Sequence, residues 1–495
     1  MRLEDIIEKN LIINLDTLKT DVELLKQIQK QLSYLGLYPT GRWIDGSYGP
    51  RTESAITEFC KTVNLDSMKT GKFDKRFAEV LIKLEGSMFK LYVATSRDQV
   101  FKDFLKAEAG YDAYKLAVLD RGINNSPYKG ETSSYPLRLK EKPDDQEVTS
   151  LGEKVTQAKT SVTVTYTGYP KVGELPKIDD NGLSFLHSDI TEACVCLGSF
   201  VNGQFRSRWL GKKSLNLTQF WSTTKFIAIL NLVCKANSKV PACDLDNCAV
   251  RDPSDGAWFK FYDLVSDVVT YANKIGTSNA IAAMFKRFET YPGLEAWLKK
   301  MTGNTGLVFR GNYGEGAFID SPELYDQKLK KVILTAAPAS EKGGNALSAY
   351  DLTRMISMLG WHYYLPQPSR LPGAQWDSLE CVIRAMGLES ARFVDVALEK
   401  LGLQNEIKSP VILSKMGFGR SSARNQTEMC YVALVQFIDR RQKAKGKPAK
   451  LRTLAMALRG VKGLDDANAE ATELDARMAA EVTEIIRRVV TEELV

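Results

Sequence analysis

The chain predicts an α+β protein of several domains: a three-helix amino-terminal module, then a larger domain that combines strands and helices. Three observations carry this. Its 495 residues exceed what one hydrophobic core organises, and the size prior gives roughly three domains. Leu25, Ile28, Leu32 and Leu35 recur at helical spacing and stop at Gly36, as at a helix C-cap. Far downstream, the runs 193–198 and 429–435 read as buried strands, and 475–490 reads as an amphipathic terminal helix.

After the first helix come Gly41 and the string Asp45-Gly46-Ser47-Tyr48-Gly49-Pro50-Arg51-Thr52. A second helix follows through Ala55, Ile56 and Phe59. Lys69-Thr70-Gly71-Lys72-Phe73-Asp74 repeats the turn chemistry before a third helix. Glycines at these points let the chain reverse between helices. This region, about 18–84 within a domain of 1–90, resembles the three-helix peptidoglycan-binding domain. That family's signature is a Gln-x-x-Leu helix, a Leu-Gly-Tyr turn and Asp-Gly-x-Phe-Gly-x-x-Thr; Tyr48 stands in for the usual aromatic. The resemblance implies peptidoglycan as partner, with Asp45, Gly46, Tyr48, Gly49 and Thr52 as its binding residues. The alternative is a plain three-helix module without a ligand.

Residues 91–180 suggest a linker or small spacer. The stretch 98–118 looks helical, with Phe101, Phe104, Leu105, Tyr111, Tyr114 and Leu116 as a broken apolar stripe. Ser126-Pro127 and Lys142-Pro143 mark turns, and the strict alternation of 161–167 predicts a strand.

The third region, 181–495, opens with a hairpin signal, Asn202-Gly203 between two strand-like runs. Then comes Ser222-Thr223-Thr224-Lys225, followed at once by an apolar helical run. Residues three apart share a helix face, so Lys225 is placed to activate Ser222. A serine is a poor nucleophile until a base takes its proton, and a lysine in a dry site can be that base. Ser278-Asn279-Ala280 follows at the end of a helical stretch, and Lys415-Met416-Gly417 precedes a strand. In this order the three strings resemble the serine β-lactamase and DD-peptidase superfamily, most closely its class A β-lactamase branch, whose pattern is Ser-x-x-Lys, Ser-Asp-Asn and Lys-Thr-Gly.

That resemblance implies an antiparallel five-stranded sheet flanked by helices, with an all-helical subdomain. It also matches Leu347-Ser348-Ala349-Tyr350-Asp351-Leu352 to a capped helix and Gly293-Leu294-Glu295-Ala296-Trp297-Leu298 to another. It implies acylation of Ser222, proton transfer by Lys225 and Ser278, and a substrate carboxylate held by Lys415. Asn279, Gly417 and Tyr271 are the expected substrate-binding residues. Two departures weaken substrate grip: Ala280 stands where the family has an amide, and Met416 replaces a threonine. A deacylating glutamate is missing from Ser321-Pro322-Glu323-Leu324, where Ser321 occupies its place; Glu315 is the expected substitute and Glu323 a poorer one. Tyr271-Ala272-Asn273 has the rival Tyr-x-Asn form, but helical periodicity assigns it to core packing.

Composition excludes other classes. The net charge of +7 is small for this length. The basic run 440–447 reads as a solvated hairpin loop, and no basic face with interleaved aromatics suggests nucleic acid. Two histidines, His187 and His362, are too few for a zinc site, and no metal or cofactor is expected. Cys243 and Cys248 share a short loop and would bridge if oxidised. Residues 1–10 are too acidic for a signal peptide and no apolar run spans a membrane. This conflicts with the cell-envelope location that the resemblances imply. Non-classical export, a longer native start or a partner within a larger envelope assembly would each resolve it. The expected function is serine acyl transfer on peptidoglycan peptides or β-lactam-like amides. The alternative is a degenerate scaffold that anchors or assembles the envelope.

Overall fold

The computed structural model describes residues 1–84, 86, 89, 91, 97–160, 162–441 and 447–495. The chain divides into two compact units: Met1–Ser96 with Thr156–Thr163 and Arg487–Val495, and Arg97–Val155 with Val164–Ile486. Most of residues 91–180 fall within the second unit.

In the first unit the three expected helices are α1 (Val22–Tyr34), α2 (Pro50–Thr62) and α3 (Lys75–Lys83). Asp21 and Asp74 cap α1 and α3 by accepting from Leu24 N and Phe77 N, and Pro50 opens α2. Gly36 takes φ +81° just past α1, the left-handed stop its position predicted. Leu25, Ile28, Leu32, Ile56, Phe59 and Phe77 form the core, with Phe59 and Phe77 edge-to-face at 5.9 Å.

The second unit is built on five long antiparallel strands: β1 (Ile190–Val201), β2 (Gln204–Lys212), β3 (Ile407–Ser421), β4 (Gln426–Asp439) and β5 (Ala449–Lys462). Their spatial order is β3-β4-β5-β1-β2, with short strands at Val148–Thr149, Thr167–Gly168 and Ile178–Asp179 joining the sheet. The β1–β2 hairpin turns at Asn202 (φ 50°) and Gly203 (φ 71°), two left-handed residues that match the strand twist. Helix α4 (Lys225–Lys239) is buried almost all round; α6 (Ser278–Lys286) packs against it, and α5 (Phe261–Thr270) packs against α6. Helix α7 (Ala349–Gly360) starts on a Ser348/Asp351 capping box and lies against β1 and β5. The last helix, α8, runs Ala467–Val490.

Several expectations change. The helix expected over 98–118 is Arg97–Ala107, after which the chain turns and Tyr114 stands 94% exposed. The alternating run yields Thr163–Thr165 and Thr167–Gly168, Ser161 lying outside the described residues. Of the basic run, 442–446 lie outside the described residues; Arg441 is not solvated but buried in a bidentate pair with Asp439 at 2.8 and 2.6 Å. Ser321-Pro322-Glu323-Leu324 does not form an active-site loop. Glu323–Asp326 is a strand of a separate four-stranded sheet, because its alternation buries Leu324 and Asp326 while Glu323 pairs with Arg251 at 2.8 Å. All eight cysteines are reduced and buried. Among the described residues, no helix is long and apolar enough to cross a membrane.

Candidate active site

Ser222 lies in a tight turn, Trp221–Thr224, that leads directly into α4. The Thr224 hydroxyl bonds back to Trp221 O at 3.0 Å, and the Thr223 hydroxyl to Phe220 O, so the turn is tied to its own backbone. Trp221 adopts φ +49°, a left-handed conformation that is strained for an aromatic residue, at about 1–3 kcal/mol. Two contacts hold it there: its indole N–H donates to Glu428 at 2.9 Å, and its ring occupies the space above Gly419. Gly417 is needed for a related reason. A Cβ there would lie 2.9 Å from both Phe220 O and Ser222 N, so only glycine lets β3 run this close to the serine turn.

Lys225 is completely buried. Its amine donates to Ser278 Oγ at 2.9 Å and to Asn279 Oδ1 at 2.7 Å, and stands 5.1 Å from the Tyr271 ring centre. Burial, reinforced by the nearby positive charge of Lys415, lowers its pKa to about 6. Ser278 opens α6 and donates onward to Val268 O at 2.7 Å. The second motif supplies an amide after all, from Asn279 rather than from the Ala280 position. The Asn279 Nδ2 donates at 2.9 Å to Glu315, which also takes the Thr277 hydroxyl, so Glu315 sits at the exposed rim, linked to Lys225 through Asn279.

Tyr271 is not a core residue. Helix α5 ends before it, and Asp267 accepts from Ile275 N at 2.6 Å and Lys274 N at 3.2 Å, which folds the following loop back. Tyr271 caps the helix at φ +56° and turns its phenol toward β3, while Asn273 is exposed. The phenol accepts from Lys415 at 2.7 Å, donates to Met416 O at 3.1 Å, and has Ser222 as a polar neighbour. Burial raises its pKa, so it acts as a protonated hydrogen-bonding group rather than a base.

Lys415 is held differently from the expectation of a group waiting for a carboxylate. It is fully buried and paired with Glu389 at 3.0 Å; Tyr271, Met416 O and Val269 O complete its surroundings. Glu389 also accepts from Met416 N at 3.1 Å. Sequence reasoning missed Glu389, which follows the helix Trp376–Met386 and meets β3 only through the fold. It also missed Lys286. Two helical turns beyond Ser278, on the face α6 buries, Lys286 lies 3.6 Å from the Phe309 ring centre and donates to Gly311 O at 2.5 Å. Its place on the Ser278/Ala282 face was a readable signal.

These elements enclose a cleft of about 600 Å³. Ser222, Thr224, Trp221 and Phe418 form one side; Tyr313, Gly311, Asn312 and Gly314 form another; Gln219, Asn279 and Asn345 supply amides. A possible ion-holding group lies elsewhere: Cys243, Cys248 and Asp326 place ligand atoms within 4.8 Å of one another, the two sulfurs 3.5 Å apart.

In the first unit, Gln29 is the buried hub. Its Nε2, which carries two hydrogens, has acceptors on Tyr38, Asp45, Ser47 O and Thr52 within 3.0–3.2 Å, and its Oε1 accepts from Gly46 N at 2.8 Å. Gly46, at φ +78°, leaves no room for a Cβ, which would lie 2.6 Å from Val22 O. Gly49 precedes α2 as its N-cap, and Tyr48 is half-buried with Lys19 5.3 Å from its ring. Nearby, Trp43 is 41% exposed with Arg51 4.1 Å from its ring centre.

Residues 21–81 match the family described as "Putative peptidoglycan binding domain". No curated protein matches the chain. Among solved structures, the chain is similar to a β-lactamase from Streptosporangium roseum at 14% identity and TM-score 0.35, covering 62% of this chain and 98% of that one. It is similar to a β-lactamase from Desulfarculus baarsii DSM 2075 at 16% identity and TM-score 0.35, covering 62% and 96%. A peptidoglycan synthetase from Bifidobacterium adolescentis ATCC 15703 aligns at 9% identity and TM-score 0.23, covering 62% and 58%.

Proposed function

We propose that this chain is a cell-wall-associated serine acyl-transfer enzyme. Its amino-terminal unit engages peptidoglycan, and Ser222 forms an acyl intermediate with ester or amide carbonyls of wall peptides or β-lactam-like compounds. The observation that carries the reading is Lys225: a buried amine, its pKa lowered by that burial to about 6, one turn along from a serine held on a strained turn at a cleft. In this reading Lys225 takes the Ser222 proton as the hydroxyl oxygen attacks the carbonyl carbon. The backbone N–H of Ser222, where Gly417 keeps β3 close, stabilises the oxyanion, typically by ~3 kcal/mol per donor. Lys225 returns the proton through Ser278 to the departing group, and Glu315 orients the water that later releases the acyl group.

The test is intact-mass and peptide mapping after incubation with p-nitrophenyl acetate. The expected result is an acetyl group on Ser222 and none on Ser222→Ala. An unlabelled wild type would leave the chain as a wall-binding scaffold.

A further inference from the structure

The charges around the cleft point to the substrate class. Among the described residues, every side chain lining the cleft is uncharged. Five of the cations near it are held by other groups, while Lys342, exposed in the chain next to the lining Gly343, is not a lining residue. Lys415 is closed off by Glu389, with no exposed surface. Arg310, which packs on Gly343 at the rim, is paired with Glu295 through two hydrogen bonds at 3.0 and 2.9 Å. Arg424, which touches Gln219, is paired with Glu428 at 2.6 Å. Lys286 and Lys225 are buried amines whose pKa values burial lowers, Lys286 lying under the Gly311 carbonyl and Lys225 under the serine turn. The side chain that Asn279 Nδ2 bonds at the rim is an acidic one, Glu315.

A substrate carboxylate entering this cleft would lose hydration with no cation among the lining side chains to replace it, and burying an unpaired charge is costly. Resting on the acyl-Ser222 reading, we propose that the cleft selects acyl donors without a carboxylate: neutral esters or amides. Glu389 supplies from within the protein the anion that Lys415 would otherwise seek in a substrate. Asparagine amides at the rim and the faces of Trp221, Tyr313 and Phe418 suit neutral hydroxyl- and amide-bearing groups.

The experiment compares two matched donors, the p-nitrophenyl monoester of adipic acid and its methyl ester, by the rate of Ser222 acylation in the full chain. The methyl ester is expected to react at least tenfold faster, with the difference retained at high salt. Equal rates, or a faster acid, would overturn the inference while leaving the acyl-serine reading intact. Labelling by neither donor would overturn both. In Glu389→Gln, Lys415 loses its resident partner and the difference should narrow. A folded variant with an unchanged difference would overturn the role given to Glu389. If the variant does not fold, the wild-type comparison still decides.

Discussion

Gln29 in the first unit and Lys225 in the second are both buried polar side chains at the centre of a sequence signature, and they are used in opposite ways. The Gln29 amide is spent on its own turn: Asp45, Gly46, Ser47 and Thr52 all bond to it. Lys225 donates only to neutral oxygens, and among the described residues no carboxylate pairs with it. A satisfied buried amide stabilises a chain conformation. A buried amine without a counter-ion gives up its proton, which destabilises the folded state at neutral pH but leaves a base inside the protein. One signature is thus a folding device, and the other is a place where chemistry is possible.

The strongest way to break this comparison is to remove each centre. Ser222→Ala should abolish acyl-adduct formation, and Lys225→Ala should slow it by about 10²–10⁴-fold, the usual range for a positioned base. Gln29→Leu should leave the acylation rate unchanged. It should lower the stability of the first unit by about 1–3 kcal/mol, because the Gly46 N–H loses a buried acceptor. Mass spectrometry and urea titration read the two effects separately. An acylation defect in Gln29→Leu with stability intact would remove the distinction.

The second test is pH. With Lys225 near 6, acylation should rise as pH rises through that value, since only the neutral amine accepts the serine proton. The sign of the stability effect follows from linkage. Between about 6 and the ordinary 10.5 the unfolded chain binds a proton that the folded chain does not. This residue's contribution is therefore fully present above 10.5 and lost as pH falls toward 6. Lys225→Met should flatten that slope. Lys415→Met removes a cation that depresses Lys225, so the rising limb of the rate profile should move to higher pH. A limb that stays in place would mean another group controls it.

What was legible in the sequence was local. The Asn202-Gly203 turn, the Ser348/Asp351 cap, and Ser222 one turn before Lys225 are short-range patterns whose physics needs no fold. The structure brings Ser278 within 2.9 Å of Lys225, while the core-packing assignment of Tyr271 does not hold. Helical periodicity runs on through Thr270, and nothing in the spacing reveals that Asp267 folds the next loop back and leaves Tyr271 left-handed. Glu389 was out of reach because its partner lies on another element, and only topology joins them. Glu323 misled because a short string matched a loop motif while its alternation, Leu324 and Asp326 inward, was that of a strand. Lys286 could have been found, since a lysine on the buried face of α6 contradicts the pattern around it.

The smallest expected effect sharpens the comparison from the other side. If Asp45, Gly46 and Thr52 serve the Gln29 hub, contact with wall glycan falls to side chains that this turn displays outward. Trp43 is the clearest of these, exposed beside Arg42 and Arg51 with their guanidinium groups 5.3 and 4.1 Å from its ring. An aromatic face of this kind contributes about 1 kcal/mol to a sugar or cation contact, roughly a fivefold change in affinity. Trp43→Ala should therefore weaken co-sedimentation with purified peptidoglycan severalfold without changing the melting temperature, because the side chain supports no core contact. Asp45→Asn should leave binding nearly unchanged, since an amide still accepts from Ser47 N, where the carboxylate now accepts at 2.8 Å. Binding lost in Asp45→Asn with the fold intact, and retained in Trp43→Ala, would return the signature itself to the binding surface.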